Sequence, residues 1–168
     1  MAAPVGDLLS MLRRLAAEQV EFIVVGGVGA VLQGAPIATF DLDVVHARNP
    51  QNVERLAHVL TALGARYRGQ GDRVVAPLAA HLAGPGHHLL ITTEGPLDLL
   101  GALIGGRDHE ALAAHTIDFE LEPGLVVRVL ALEMIIALKE ELGGEKDLAV
   151  LPVLRRTLAE LRKPRTDL

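Results

Sequence analysis

Two aspartates, Asp41 and Asp43, alternate with apolar residues in the segment FDLDVVH at residues 40–46. A period of two is typical of a β-strand, and it places both carboxylates on one face. Hard divalent cations such as Mg²⁺ prefer oxygen ligands and share them with water and substrate phosphates. The spacing therefore predicts a divalent-metal site, although a solvated outer strand face is the more usual reason for such alternation.

The residues before the two aspartates favour the metal interpretation. The apolar run EFIVV ends at Gly26 and Gly27, where the backbone can approach a ligand closely. The segment VGAVLQG at 28–34 is expected to form a short helix whose free N–H groups face phosphate oxygens. Thr39 then precedes the aspartates, so residues 26–43 together indicate a site for a phosphate-bearing ligand.

A third carboxylate is expected to come from another strand. Asp98 lies in the apolar segment LDLLGAL, where a charge requires a reason. Together with Asp41 and Asp43 it would complete a two-metal arrangement. His46, on the opposite strand face, is interpreted as a packing residue, and the His87-His88 pair as structural unless its strand adjoins Asp41.

The remaining chain is expected to position these groups on a mixed β-sheet flanked by helices, an α+β fold of α/β-like layout. The elements are predicted from the apolar periodicity of the sequence. The Asn49-Pro50 pair indicates a helix start, and Gly143-Gly144 indicates a break between helices. Helices are predicted at 7–19, 28–34, 49–63, 107–115, from 132 to the glycine break, and from there to about 162, with a kink or restart at Pro152. Strands are predicted at 21–27, 40–46, 87–93, around Asp98 and twice within 116–130, and residues 65–86 are predicted to hold a short strand pair and a loop.

The bulk composition limits the possible functions. The 168 residues predict one domain, with 131–165 as a C-terminal helical extension. No cysteine is present, which excludes disulfides and thiolate chemistry, and a formal charge of −5 argues against extensive DNA binding. Because no apolar run approaches a membrane span and no signal peptide is recognisable, we expect a cytoplasmic protein.

The segment GGVGAVLQGAPIATFDLDVV at 26–45 resembles the signature of DNA-polymerase-β-like nucleotidyltransferases, particularly their minimal forms. That signature is a glycine turn, a helix, and a Thr or Ser shortly before Asp-x-Asp. The segments GPLDLLG, with Asp98, and VLALEMIIALKEELGGEKDLAVL, at 129–151, are similar to the family's later segments. Motif-level agreement thus touches most of residues 20–155, except the middle loop.

The resemblance implies transfer of a nucleoside monophosphate from an NTP to an acceptor, with Mg²⁺ or alternatively Mn²⁺ as cofactor. It implies that the three aspartates hold the metals and that Asp98 helps to activate the acceptor. The predicted nucleotide-binding residues are Gly26, Gly27, Thr39, Lys139 and Lys146. Small members of the family are linked to toxin–antitoxin systems, so the expected partners are a protein, a tRNA or a small-molecule acceptor.

One departure from the family pattern favours an alternative. Many related sequences carry a basic residue two positions before the Thr, where this chain has Ile37. A catalytically inactive domain that binds a nucleotide or a partner protein is therefore the second hypothesis. A phosphohydrolase using the same aspartates is the third, although no His-Asp pair accompanies them.

Overall fold

The structure, a computed structural model, describes residues 7–164, and a seven-stranded mixed sheet in this range carries the aspartates. The strand order is β3-β4-β5-β2-β1-β9-β8, and β6 and β7 form a separate two-stranded sheet. The strands are β1 (Phe22–Val25), β2 (Leu42–His46), β3 (Arg66–Tyr67), β4 (His87–Thr92), β5 (Gly95–Leu100), β6 (Ala102–Leu103), β7 (Arg107–Asp108), β8 (Thr116–Glu122) and β9 (Leu125–Leu130).

The helices cover both faces of this sheet. They are α1 (Leu8–Ala17), α2 (Gly26–Leu32), α3 (Pro50–Ala62), α4 (Ala79–Leu82), α5 (His109–Leu112), α6 (Leu132–Leu142) and α7 (Glu145–Leu161), with 3₁₀ turns at Ile104–Gly106 and Ala113–His115. The predicted α+β fold with a mixed sheet flanked by helices is confirmed. Arg165, at the end of the predicted 131–165 extension, lies outside the described residues, and the single-domain assignment stays a prediction.

Two hydrophobic clusters hold the helices on the sheet. On one face, Met11 and Leu15 of α1 and Leu56 of α3 are fully buried against the inward side chains of β2 and β5. On the other face, Ile135 of α6 and Leu154 of α7 pack over β1 and β2. Each fully buried aliphatic side chain contributes about 1.5–3 kcal/mol. The helices are therefore fixed relative to the strands that carry the aspartates.

Local signals in the sequence set the ends of several helices. Asp7 accepts a hydrogen bond from the Ser10 amide at 2.9 Å, and Asn49 accepts one from Asn52 at 3.0 Å, so both cap helices. Pro50 occupies the first position of α3, as predicted. Gly143, at φ 64°, ends α6 in the left-handed conformation that glycine adopts without strain.

Five predicted elements differ from the structure. The helix predicted at 107–115 is instead β7, which pairs with β6, followed by the short α5 and a 3₁₀ turn. The segment 65–86 contains one short strand and α4 rather than a strand pair, because β3 finds its partner in β4. Helix α2 begins at Gly26 instead of residue 28, and β2 begins at Leu42, so Asp41 lies in the bend before it. Helix α7 also continues through Pro152, an exposed position where water can satisfy the carbonyl that proline leaves free.

No helix within residues 7–164 has both the length and the apolar character needed to cross a membrane.

Candidate functional site

The sheet register brings Asp43 and Asp98 together. Strands β2 and β5 are parallel neighbours, and the Cα atoms of these two aspartates are partners in their register. On the other side of β2, Asp43 is the partner of Val25, the last residue before α2. Residues that are register partners project from the same sheet face, so both carboxylates lie side by side. Asp41, two residues before Asp43, is partly buried in the bend that precedes this strand.

The carboxylate of Asp43 lies in an unfavourable electrostatic environment. Burial and the neighbouring charges of Asp98 and Asp41 raise its pKa to about 7, and Lys139 lowers the pKa in part. A carboxyl whose pKa is raised by neighbouring carboxylates lacks positive charge around it. The site thus has the electrostatic character of a cation-binding site.

Small residues and a threonine form the floor beside Asp43. Gly26 has φ 63°, and a Cβ at this position would overlap the Asp43 carboxylate oxygen Oδ2. A Cβ at Gly27 would lie 2.8 Å from the Thr39 hydroxyl. Both glycines are therefore required for close packing of α2 against the aspartate segment, and the predicted residues Gly26, Gly27 and Thr39 lie next to the carboxylates.

The two lysines differ in position. Lys139 of α6 lines a small cavity of about 190 Å³ together with Gly26 and Asp43. Its ammonium group lies 3.4 Å from Asp147 Oδ1, and its side chain is partly buried. Lys146 is exposed on α7, beyond the Gly143-Gly144 break, and is not among the charges that shift the pKa of Asp43. Only Lys139 of this pair is close to the carboxylates.

Sequence reasoning missed Arg68, which reaches the site from the loop after β3. Its Nη2 lies 2.8 Å from Asp98 Oδ1, and its Nη1 donates a hydrogen bond to the Leu90 carbonyl at 2.7 Å. The contact with Asp98 is an ion pair without hydrogen-bond geometry, since the buried Oδ1 has no hydrogen-bond partner in the described part of the chain. The only sequence signal was a cluster of arginines in a segment without periodicity.

The three aspartates do not converge on one point. Among residues 7–164, no three His, Cys, Asp or Glu side chains are arranged to hold one metal ion. The donor set at hand is the Asp43–Asp98 pair with Asp41 close by. Because Mg²⁺ keeps several waters and substrate oxygens, one or two carboxylates from the protein are sufficient for it.

The histidines lie away from the carboxylates. His46 is fully buried on the opposite face of β2, where its Nε2 contacts the Leu82 carbonyl at 2.8 Å, so its interpretation as a packing residue is confirmed. His88 pairs in register with Leu99, and its Nδ1 contacts the Tyr67 hydroxyl at 2.7 Å. Strand β5 separates it from β2, so its condition for pointing towards Asp41 is not met.

Comparison with known proteins gives no match to a family model and none to a curated protein sequence. Solved structures do match. A proposed nucleotidyltransferase from Thermotoga maritima aligns with a TM-score of 0.54 and 20% identity, over 91% of this chain and 91% of the other. The antibiotic-resistance factor ANT(2'')-Ia aligns with a TM-score of 0.58 and 14% identity, over 90% of this chain and 82% of the other.

The chain has a nucleotidyltransferase-like fold. At these identities the likeness concerns the course of the backbone, and it extends over nearly all of the described residues. Within this nucleotidyltransferase-like fold, the resemblance noted in residues 26–45 falls on α2, the following loop and β2, which carries Asp43.

Proposed function

We propose that the protein is a metal-dependent nucleotidyltransferase, which transfers a nucleoside monophosphate from an NTP to an acceptor group. The observation that carries the proposal is the register pairing of Asp43 with Asp98 on adjacent parallel strands. This pair lies beside Gly26, whose missing side chain leaves room for the Asp43 carboxylate. The nucleotidyltransferase-like fold supports the assignment of this chemistry to the pair.

The donor set fits Mg²⁺ or Mn²⁺. Carboxylate oxygens are the ligands that these hard cations prefer. Burial and the adjacent carboxylates raise the pKa of Asp43, so a bound cation would relieve the repulsion. The buried Oδ1 of Asp98 contacts the Arg68 guanidinium without forming a hydrogen bond within the described residues. We infer that the Asp43–Asp98 pair holds the ion, and we propose Asp41 as a further ligand that would have to move towards this pair. When bound, it would neutralise charge on the triphosphate and stabilise the leaving pyrophosphate.

In the proposed reaction, the acceptor oxygen forms a bond to the α-phosphorus and the bond from that phosphorus to the pyrophosphate oxygen breaks. The acceptor proton passes to the Asp98 carboxylate. The remaining residues would bind the triphosphate. Lys139, close to Asp43, would exchange its Asp147 contact for a triphosphate oxygen, a role suited to a compact ammonium charge. Lys146 and Thr39 remain proposed nucleotide contacts.

Arg68 must leave Asp98 before this carboxylate can accept a proton or bind a cation. Its guanidinium is always charged, so the ion pair competes directly with a metal ion for Oδ1. The solution structure of ANT(2'')-Ia is described as showing substrate-regulated conformation dynamics. We propose a comparable event here, in which substrate binding draws Arg68 away from Asp98.

The proposal is tested by incubating the protein with each α-labelled NTP, Mg²⁺ and a cell extract as the acceptor source. We expect a labelled product and release of pyrophosphate. Asp43→Asn should lower the rate by about 100-fold or more because it removes a carboxylate ligand. Asp118→Asn, at an exposed position on β8, is the matched control and should retain the rate. Equal rates in both variants would exclude the assigned site.

A second candidate is nucleotide binding without transfer. The Arg68–Asp98 ion pair favours it, since a permanently paired Asp98 neither accepts a proton nor binds a cation. Ile37, partly buried against the second hydrophobic cluster, also leaves the loop without the basic residue common in related sequences. Tight NTP binding without pyrophosphate release, in the wild type and in Arg68→Gln alike, would establish this alternative.

A further inference from the structure

A second pocket, of about 380 Å³, lies beyond Asp98 and is rich in arginine. Its lining includes Arg66, Arg68 and Arg73, with Tyr67 and the loop residues that follow β3. One carboxylate, Asp72, also lines it, so the formal charge of the lining is positive. The volume is within the range of small-molecule sites, which begin at about 300 Å³.

The arginines share the sheet face of the catalytic carboxylates. Arg66 is the register partner of Ile91, and Ile91 is the partner of Pro96, two residues before Asp98. Register partners, and residues two apart in a strand, project from the same face. With two strand spacings between β3 and β5, the Arg66 backbone lies about 10 Å from the strand of Asp98. Arg68 bridges this distance by its ion pair with Asp98.

Two of the three guanidinium groups have no acidic partner. In the described range 7–164, seven arginines form salt bridges and five do not, and of these five only Arg66 and Arg73 line this pocket. Both are exposed, and both keep their charge at any physiological pH. The chain as a whole has a net charge of −5, so the positive charge of this arginine cluster is confined to the pocket. It therefore indicates an anionic ligand.

The arginine pocket and the proposed triphosphate site lie on opposite sides of the Asp43–Asp98 pair. Gly26 and Lys139 lie on the β1 side of Asp43, whereas Arg66 and Arg73 lie past β4, on the far side of Asp98. Asp98 is the carboxylate assigned to the acceptor proton. A ligand in the arginine pocket thus approaches Asp98 from the side opposite to the nucleotide.

We propose that the Arg66–Arg73 pocket binds a phosphate group of the acceptor and so presents a neighbouring hydroxyl to Asp98. Planar guanidinium groups match phosphate oxygens through two parallel hydrogen bonds, which makes arginine suited to this ligand. Phosphate entering the pocket also offers Arg68 an alternative partner to Asp98. The acceptor is then a phosphorylated hydroxyl compound, either a free nucleotide or a nucleic-acid end. A polycationic acceptor is disfavoured.

Identifying the ligand of this pocket as the acceptor rests on the proposed function. Binding of a phosphate compound in the pocket does not, and it can be measured without turnover. The probe is a fluorescein-labelled single-stranded RNA dodecamer, followed by fluorescence anisotropy, with AMP as an unlabelled competitor. The test variant carries Arg66→Glu and Arg73→Glu. The control carries Arg55→Glu and Arg156→Glu, which change the net charge equally on α3 and α7. Thermal unfolding verifies that all variants are folded.

We expect the test variant to weaken probe binding by about 10-fold or more, because each phosphate contact involves a charge-assisted hydrogen bond. The control should remain within about 2-fold. If AMP displaces the probe, the ligand is of nucleotide size. If the protein binds the RNA and AMP does not displace it, the ligand is a polynucleotide. Both results support a phosphate site.

Three outcomes would overturn the proposal. The first is that the wild type binds neither RNA nor AMP. The second is that the test and control variants lose probe affinity equally. The third is that the test variant also loses affinity for Mg²⁺-NTP, which would place the triphosphate in this pocket. Calorimetry with Mg²⁺ and NTP on the wild type separates the two proposals. Failure to bind NTP would remove the proposed function and leave the phosphate site to be judged on the RNA and AMP results.

Discussion

The electrostatics of the site centre on single carboxylates and their nearest neighbours. Asp43 is partly buried, adjacent to Asp98 and near Asp41, and Lys139 offsets only part of the resulting rise in its pKa. Arg68 neutralises Asp98 from the other side. Without substrate, the negative charge of Asp98 is therefore balanced by Arg68, whereas that of Asp43 is balanced only in part. Asp43 therefore determines how the site responds to protons and cations.

The raised pKa of Asp43 predicts a pH dependence of stability in metal-free protein. The unfolded chain releases this proton near pH 3.8 and the folded protein near 7. Between these values the folded state binds more protons, so the free energy of unfolding falls as pH rises through the window. Asp43→Asn removes the penalty. Its stability advantage over the wild type should grow from about pH 4 to about pH 7 and then stay constant.

Urea denaturation in EDTA, at several pH values across this window, measures that advantage. Asp118→Asn, at an exposed position on β8, serves as the control for the same substitution away from the site. A stability difference for Asp43→Asn that is independent of pH would show that the folded protein does not retain the Asp43 proton.

Gly26 offers a second test at the residue scale. Gly26→Ala places a Cβ against the Asp43 carboxylate at a backbone φ of 63°. The positive φ costs about 1–2 kcal/mol, and the overlap adds about 1–3 kcal/mol. Gly71→Ala isolates the first contribution, since Gly71 has φ 60° and no atom lies within 4 Å of the position that its Cβ would take. Equal losses of unfolding free energy would contradict the close contact of Gly26 with Asp43.

At the scale of elements, Gln33 connects three pieces of the framework around the site. Its Nε2 donates to the carbonyls of Gly29 at 2.9 Å and Leu130 at 2.8 Å, and its Oε1 accepts from the Leu132 amide at 2.9 Å. These bonds join the end of α2 to β9 and to the first turn of α6. Because α6 carries Lys139, Gln33 fixes the distance between this lysine and the aspartates.

Gln33→Ala should therefore destabilise the protein by about 2–4 kcal/mol, since it leaves buried backbone groups without partners. Gln51→Ala, at an exposed position in the first turn of α3, is the matched control and should change stability by less than about 0.5 kcal/mol. Chemical denaturation measures both. A cost for Gln33→Ala as small as that of the control would mean that α2 and α6 are held by apolar packing alone.

For the whole molecule, the sequence was sufficient to predict the fold class and the strand that carries Asp43, because both depend on local patterns. Alternation located Asp43 on a strand, and the Asn49-Pro50 pair located the start of α3. Arg68 was not predictable, since it reaches Asp98 through the pairing of β3 with β4, a contact between distant parts of the chain. The orientation of Lys139 towards Asp43 likewise depends on how α6 packs.

Binding of an NTP together with a divalent cation in the Asp41–Asp43–Asp98 region can be measured without knowing the acceptor. The measurement is isothermal titration of the wild type with each of the common NTPs in Mg²⁺, repeated in Mn²⁺ and in EDTA. We expect metal-dependent binding of at least one NTP, and loss of that binding in Asp43→Asn but not in Asp118→Asn. Absence of binding by every NTP in both metals, or unchanged binding by Asp43→Asn, would contradict it.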